Sequence, residues 1–207
     1  LNINQIDFFN ETNSTIKSGL HMQNWTGDNT NLYHMFTGEA PHITDKMKNF
    51  AYHFDASLVA KFFKKVAIER GINWIDDEVS KINNLNENIT SIELKSGNII
   101  NLDLVFDCSG FARLISNTID NQQEWESYSK YLLINKAFGF FLPQKNKYTI
   151  NDNTLTKVIA MNCGWIFNIP LQHRWGCGYA FNDKYISVED AKKEAEDYLG
   201  QEIKIQK

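Results

Sequence analysis

The amino-acid sequence predicts an α/β fold, and three observations support this. They are an amphipathic helix over residues 55–70, a strand hairpin over residues 89–106 that ends in an apolar run, and a second strand pair over residues 164–181. The chain has 207 residues, of which 43% are hydrophobic, so disorder is excluded as its main state. Its net charge of −4 argues against nucleic-acid binding through a basic surface. No apolar run reaches the roughly 18 residues that a membrane span needs.

Short elements are expected before residue 37. The apolar residues of Leu1–Phe9 suit the end of a helix or a helix-to-loop passage, and residues 16–22 alternate as a strand does. Thr26–Asn31 is a polar turn cluster. The aromatic-rich segment Tyr33–Phe36 follows it.

The helix at residues 55–70 is the clearest element. Asp55 is a good N-cap, and Gly71 supplies the left-handed residue that ends a helix. Asn73–Ser80 is then predicted to be a strand. The apolar stripe of the helix comprises Leu58, Val59, Phe62, Phe63, Val66 and Ala67.

The predicted hairpin consists of Ile89–Leu94 and Ile99–Phe106, joined by a turn at residues 95–98. Its second strand ends in the apolar run Leu102–Phe106 and continues into Asp107-Cys108-Ser109-Gly110. A buried strand followed by a turn of small residues is how α/β folds bring backbone N–H groups close to a cofactor. The Gly-x-Gly-x-x-Gly fingerprint of dinucleotide binding is absent from this sequence.

The last third of the chain predicts paired strands at Gly164–Pro170 and Gly176–Phe181. Ser187, with an acid three residues later, resembles a capping box that opens a helix, and Gly200 closes that helix. The alternation at residues 201–207 predicts one more strand. The three cysteines are far apart and lack a Cys-x-x-Cys pair, which disfavours a disulfide framework and a zinc site and suits a reducing, cytoplasmic setting.

Several segments together resemble the flavin-dependent tryptophan halogenase family. Ala51–Ala60 is similar to the family's Trp-His-Phe-Asp-Ala-His-Leu-Val-Ala helix opening, and residues 77–79 and 107–111 follow at the family's distances. Gly164–Pro170 is similar to its Trp-x-Trp-x-Ile-Pro signature, with Phe167 in place of the second Trp. The resemblance implies an FAD/NAD(P)-binding fold of the p-hydroxybenzoate hydroxylase and glutathione reductase type, with mixed sheets and helices. It also implies that residues 1–207 are the central part of a single halogenase domain that is incomplete at both ends.

The activity that the resemblance implies uses reduced FAD, oxygen and chloride or bromide to halogenate a tryptophan-like or indole-like aromatic substrate. It places Lys17 on the catalytic lysine, which carries the electrophilic halogen, and it places His34 and Phe36 beside the substrate ring. Burial of such a lysine would lower its pKa and free the amine as a nucleophile. The residues implied to contact FAD are Val79, Ser109, Gly110, Trp165 and Phe167.

The resemblance also implies a separate flavin reductase as partner, with no nucleic acid and no membrane, and it leaves the oligomeric state open, a homodimer included. The glycine fingerprint is expected before Leu1 and the substrate cap beyond Lys207, so the isolated chain is expected neither to bind FAD tightly nor to turn over. The connection from Phe36 to Tyr52 is shorter than in tryptophan-specific members, which leaves another indole, a phenol or a carrier-bound aromatic as alternative substrates. A flavin-dependent aromatic monooxygenase or oxidoreductase of the same fold, and a non-catalytic remnant or binding module, remain alternative functions.

Overall fold

The structure is a computed structural model that describes residues 3–36, 50–85, 88–119, 126–144 and 154–206. The chain divides into two compact units. The first unit comprises Leu1–Glu69 and Tyr128–Lys207, and the second comprises Arg70–Ser127. No helix in the described ranges is long and apolar enough to cross a membrane.

The helices and strands of the described residues are named here in chain order. The helices are α1 (Gln5–Thr12), α2 (Ala56–Glu69) and α3 (Val188–Leu199). The strands are β1 (Thr15–Lys17), β2 (Gly19–Gln23), β3 (Asn31–Met35), β4 (Ala51–His53), β5 (Val79–Leu85), β6 (Asn88–Leu94), β7 (Ile99–Asn101), β8 (Lys136–Pro143), β9 (Leu155–Ala160), β10 (Gly164–Pro170), β11 (Arg174–Phe181) and β12 (Ile205–Gln206).

A mixed seven-stranded sheet dominates the first unit, with the strand order β12-β8-β11-β10-β9-β2-β3. Its neighbouring strands are antiparallel except β2 and β9, which run parallel with Gly19 opposite Leu155. Strands β1 and β4 form a separate antiparallel ladder in which Thr15 lies opposite His53 and Lys17 lies opposite Ala51. The chain therefore passes from this small ladder into the large sheet between Lys17 and Gly19.

The core of the first unit includes one face of the large sheet and helix α3. The sheet contributes fully buried side chains such as Phe140, Ile166 and Tyr179, and α3 contributes two alanines that are also fully buried, Ala191 and Ala195. Alanine at the buried face lets the helix backbone approach the sheet closely. This packing fixes the sheet strands whose opposite face carries the candidate site.

The helix ends follow the predicted signals. The Asp55 carboxylate accepts the backbone N–H of Ser57 at 3.0 Å, and Gly71 takes a left-handed φ of 82° just after α2. Helix α3 begins after Ser187, whose hydroxyl accepts the N–H three residues on at 3.0 Å, and it ends at Gly200 with φ 65°. Both predicted helices are confirmed, with bounds shifted by one or two residues.

The second unit contains the antiparallel sheet β5-β6-β7. The predicted turn at residues 95–98 is confirmed, with Gly97 at φ 89°. Two strand predictions are wrong in extent: the strand expected over Asn73–Ser80 begins only at Val79, and the strand expected over Ile99–Phe106 ends at Asn101.

The apolar run Leu102–Phe106 lies outside the sheet because no strand of the described part of this unit pairs with it beyond Leu102. Leu104 is 75% exposed and Phe106 is 81% exposed. The apolar composition of the run predicted burial, but a strand also needs a neighbouring backbone with which to exchange hydrogen bonds.

Candidate active site

A cavity of about 700 Å³ lies in the first unit, against the face of the large sheet opposite α3. Alternate residues of β2, β9 and β10 supply much of its wall, because alternate side chains of a strand point to the same face. Most of the wall is apolar or aromatic, as in sites that bind flat organic molecules. The lining residues are Lys17, Leu20, Met22, Trp25, Tyr52, His53, Phe54, Thr156, Val158, Trp165, Phe167 and Ile169.

Lys17 is the last residue of β1 and is half-buried at the cavity wall. Burial lowers the pKa of its amine below the ordinary value. Its Nζ lies 5.9 Å from the centroid of the Phe36 ring, which is within cation–π range. The backbone N–H of Phe36 donates to the carbonyl oxygen of Ser18 at 3.0 Å, so the chain beside Lys17 itself positions this ring.

His34 lies on β3, directly opposite Leu20 of β2, and its side chain is exposed at the edge of the sheet. It is on the same face as Leu20 but is not part of the cavity wall. Gly19 permits the close approach of the two strands, because a Cβ there would lie 2.3 Å from the carbonyl oxygen of His34. The structure thus brings Lys17 and Phe36 together and leaves His34 farther out.

Trp165 and Phe167 lie on the cavity side of β10, with ring centroids 5.7 Å apart. Opposite Phe167 in the ladder is Gly178 of β11. The Phe167 ring lies over this glycine, since a Cβ on Gly178 would be only 2.3 Å from the ring's Cζ atom. These two implied FAD-contacting residues therefore line the same cavity as Lys17.

His53, within the family-like segment Ala51–Ala60, is a functional candidate to which the sequence analysis assigned no role. It is 4% exposed, at the end of β4, and its Nδ1 lies 3.3 Å from the Thr15 hydroxyl oxygen. Its Nε2 lies 2.8 Å from the Thr156 hydroxyl oxygen, and the Thr15 hydroxyl donates to the carbonyl of Pro170 at 2.6 Å. Burial and the positive charge of Lys17 lower the pKa of His53 to about 3, so the ring is neutral at pH 7.

Asp55 anchors the start of α2 beside this cluster. Its carboxylate forms an ion pair with Arg174 of β11, whose guanidinium lies 3.6 Å from the centroid of the Phe141 ring. Burial alone would raise the pKa of Asp55, but the hydrogen bonds from Arg174 and from the backbone of Ser57 hold it below its ordinary value. The ion pair ties the helix that follows His53 to the large sheet.

The remaining implied FAD-contacting residues lie in the second unit. Val79 begins β5, and Ser109 and Gly110 follow Asp107 in the turn. Hydrogen bonds from the hydroxyl of Ser109 and the backbone N–H of Ser116 hold the pKa of Asp107 well below its usual range. The Asp107 carboxylate also accepts the backbone N–H of Ser109 at 3.1 Å, so both the hydroxyl and the N–H of Ser109 are bonded within the turn. Gly110 has a left-handed φ of 65°, and no heavy atom lies within 4 Å of a Cβ position on this residue.

The short connection after Phe36 and the possibility of a metal site are considered last. Residues 37–49 of the short connection between Phe36 and Tyr52 lie outside the described residues. In the part of the chain that the structure describes, no group of three His, Cys, Asp or Glu side chains is placed to hold a metal ion.

Solved flavin-dependent halogenases have this fold. BrvH, a flavin-dependent halogenase from Brevundimonas sp. BAL3, superposes with a TM-score of 0.86 and 21% identity, covering 99% of this chain and 51% of that chain. Xcc4156, a flavin-dependent halogenase from Xanthomonas campestris, superposes with a TM-score of 0.85 and 22% identity, covering 99% of this chain and 49% of that chain. The predicted fold class is confirmed: the chain has the fold of the flavin-dependent halogenases.

The sequence comparisons identify the family. The family model described as tryptophan halogenase matches residues 39–207. RebH, a tryptophan 7-halogenase from Lentzea aerocolonigenes, is 32% identical over 151 residues, which cover 72% of this chain and 28% of that relative. The chain belongs to the tryptophan halogenase family, which confirms the resemblance. It spans under a third of the length of the curated relatives that it matches.

Proposed function

We propose that the protein halogenates an aromatic substrate of the tryptophan or indole type, using reduced FAD, oxygen and chloride or bromide, with residues 1–207 as the central part of one halogenase domain. The observation that carries the proposal is the placement of Lys17. A half-buried lysine lies at an aromatic-lined cavity, beside Phe36, in a chain of the tryptophan halogenase family. Surface lysines of ordinary pKa are common, whereas this environment is suited to chemistry at the amine.

Lys17 is the proposed catalytic residue. Reduced FAD, when bound, supplies the electrons that allow oxygen and halide to yield an electrophilic halogen. The Nζ of Lys17 would hold that halogen next to the substrate, because burial lowers the pKa of the amine and increases its neutral, nucleophilic fraction. The apolar walls would exclude water, which otherwise consumes a reactive halogen species.

Phe36 and His34 are the proposed substrate-binding residues. The Phe36 ring is held 5.9 Å from Lys17 Nζ and offers a flat surface for an aromatic substrate. His34 lies on the edge strand β3, opposite Leu20 of β2, and would extend that surface at the edge of the sheet. Stacking of this kind selects which ring carbon faces the lysine, and this is catalysis by orientation.

The cofactor and partner proposals follow from the family. Ser109, Gly110 and Val79 would contact FAD mainly through backbone atoms, and Trp165 and Phe167 would lie on the flavin side of the lysine. A separate flavin reductase would supply the reduced cofactor. The three cysteines, which form no disulfide, suit a reducing, cytoplasmic setting.

The proposal is tested with the full-length protein that contains this chain, a flavin reductase, bromide and a panel of indoles and phenols. Brominated product, identified by its isotope pattern in mass spectrometry, is the expected result. Lys17→Met should abolish brominated product while oxygen consumption continues. Lys65→Met is the matched control, since Lys65 is an exposed lysine of α2 that pairs with Glu11 of α1, and this variant should halogenate at the wild-type rate.

Other outcomes would contradict parts of the proposal. Product that carries oxygen but no halogen, with bromide present, would favour the aromatic monooxygenase alternative, for which Phe167 in place of the signature tryptophan is the motivating observation. Wild-type halogenation by Lys17→Met would remove the lysine from the mechanism.

A further inference from the structure

We propose that Gln172 is a positioning residue for Lys17. It holds the chain before Lys17 against the turn between β10 and β11, so that the amine keeps its place at the cavity wall. The inference rests on the proposed function in one respect, namely that Lys17 is the catalytic residue. It gives the end of β10 a task beside its contribution to the cavity wall, because the strand that carries Lys17 is attached there.

Strand β1 is too short to fix the position of Lys17 by itself. It has three residues, Thr15–Lys17, and among the described strands it pairs only with β4, which also has three. Lys17 is the last residue of this ladder, and the ends of short elements open most readily. The position of its amine therefore depends on the contacts of the residues on either side of it.

Gln172 makes three hydrogen bonds to the chain before Lys17. Its side-chain Nε2 donates to the carbonyl oxygen of Ser14 at 2.8 Å and to that of Phe9 at 3.1 Å. Its backbone N–H donates to the carbonyl oxygen of Asn13 at 3.3 Å. Phe9 is in the last turn of α1, where helix carbonyls lack partners within the helix. One residue thus holds both the end of α1 and the start of β1.

Thr15 extends this attachment into β1. Its hydroxyl donates to the carbonyl oxygen of Pro170, the last residue of β10, at 2.6 Å. Ser14 and Thr15 are both fully buried, so water does not readily replace a hydrogen bond that is lost there. The short segment before Lys17 is therefore held by the end of β10 and by the turn that follows it.

The residue after Lys17 is attached separately, to the start of β9. The backbone N–H of Ser18 donates to the carbonyl oxygen of Thr154 at 2.8 Å, and the two hydroxyl oxygens lie 2.7 Å apart. The Ser18 carbonyl also accepts the N–H of Phe36, so this attachment holds the proposed substrate ring. Loss of the Gln172 bonds should therefore move Lys17 relative to Phe36 rather than move both together.

This arrangement predicts a loss of turnover without a loss of substrate affinity. An apolar residue in place of Gln172 frees the start of β1, and the half-buried amine of Lys17 gains access to solvent. Misplacing a reacting group by about 1 Å can cost roughly 100-fold in rate. Because Phe36 keeps its own attachment, the affinity for an aromatic substrate should change little.

The test uses the full-length protein that contains this chain, a flavin reductase, bromide and an indole substrate. Gln172→Met removes the amide at similar volume, so kcat for bromination should fall about tenfold or more, while KM for the indole stays within about twofold. Gln144→Met is the matched control. The Gln144 side chain bonds to the same turn, through the Leu171 carbonyl at 3.4 Å and the Trp175 indole N–H, and these bonds do not involve the chain before Lys17. This variant should keep the wild-type kcat.

Competitive acetylation with trace acetic anhydride reports on Lys17 without turnover. The rate at which Lys17 is labelled at each pH, measured by mass spectrometry, gives the pKa of its amine. Burial lowers this pKa in the wild type, so it should rise towards its ordinary value in Gln172→Met and stay unchanged in Gln144→Met. A merely structural role for Gln172 would lower the urea midpoint but leave kcat and the pKa of Lys17 as they are.

If Gln172→Met fails to fold, Gln172→Asn takes its place. Its shorter side chain lengthens both hydrogen bonds of the amide, so it should change kcat and the pKa of Lys17 in the same direction, by less. Wild-type values of both quantities in the Gln172 variants would overturn the inference, and so would an equal fall of kcat in Gln144→Met. Wild-type halogenation by Lys17→Met would instead refute the proposed function, while the labelling still decides whether Gln172 positions the amine.

Discussion

Replacing Gly178 by alanine should destabilise the first unit and displace the Phe167 ring. A Cβ on Gly178 would lie 2.3 Å from Phe167 Cζ, 2.6 Å from its Cε1 and 2.9 Å from the carbonyl oxygen of Phe138. The ring must leave the surface of β11, and the backbone of β8 must shift slightly. Overpacking of this kind costs about 1–3 kcal/mol, a large share of the ~5–15 kcal/mol by which a typical domain is stable.

The matched control is Gly139, which lies directly opposite Gly178 in the β8–β11 ladder. A Cβ on Gly139 meets only the carbonyl oxygen of Cys177, at 3.8 Å, which is an ordinary contact. Gly139→Ala should therefore be neutral, or stabilising by roughly 0.5–1 kcal/mol through the lower entropy of its unfolded chain. Urea denaturation of both variants gives the comparison.

A double-mutant cycle isolates the contribution of the ring. In a Phe167→Ala background, Gly178→Ala should cost clearly less, because the two shortest contacts, both with the ring, are removed while the contact with the Phe138 carbonyl stays. Equal stability of the Gly178 and Gly139 variants would refute the steric reasoning. An unchanged cost in the Phe167→Ala background would refute the assignment to the ring.

Three further predictions concern titratable groups. The Asp55→Asn substitution should lower the free energy of unfolding by about 1–3 kcal/mol at pH 7. Because the folded pKa of Asp55 lies below its unfolded value, the difference between wild type and this variant in denaturation curves should shrink below about pH 4. His53 has a folded pKa of about 3, so as the pH falls below about 6.5 the unfolded chain takes up a proton at this residue while the folded protein does not. The free energy of unfolding should therefore fall by about 1.4 kcal/mol per pH unit in this range, and His53→Gln should remove that slope. Iodoacetamide at pH 8, followed by mass spectrometry, should label the exposed Cys108 before Cys177, because burial raises the pKa of the Cys177 thiol to about 12; early labelling of Cys177 would contradict its burial.

Local signals sufficed to predict several elements. Asp55 and Ser187 cap helices through bonds to backbone groups two or three residues away, and Gly71 and Gly200 end those helices through their own backbone angles. Such features depend on short stretches of chain, so a single sequence reveals them. The family prediction succeeded for a related reason, since several short motifs at the right distances are specific together.

Tertiary contacts explain what the sequence did not reveal. The run Leu102–Phe106 has the composition of a buried strand, but burial depends on neighbours that no local pattern specifies. His53 finds Thr15 and Thr156 at 38 and 103 residues' separation, and neither threonine lies in a motif. The placement of Lys17 came from the resemblance, and its half-buried position at the cavity wall became visible only in the structure.

The parallel pairing of β2 with β9 has a consequence for the synthesis of the protein. The Ser18 side chain bonds to Thr154 across a separation of 136 residues, and β2 pairs with β9 just beyond that point. A ribosome adds about 5–20 residues per second, so β2 and its hairpin partner β3 wait on the order of ten seconds for the strand that places them in the sheet. Contacts of such long range also form slowly. We therefore expect the strands around Lys17 to be ordered late, after the β8–β11 and β10–β11 ladders have formed from segments much closer in the chain.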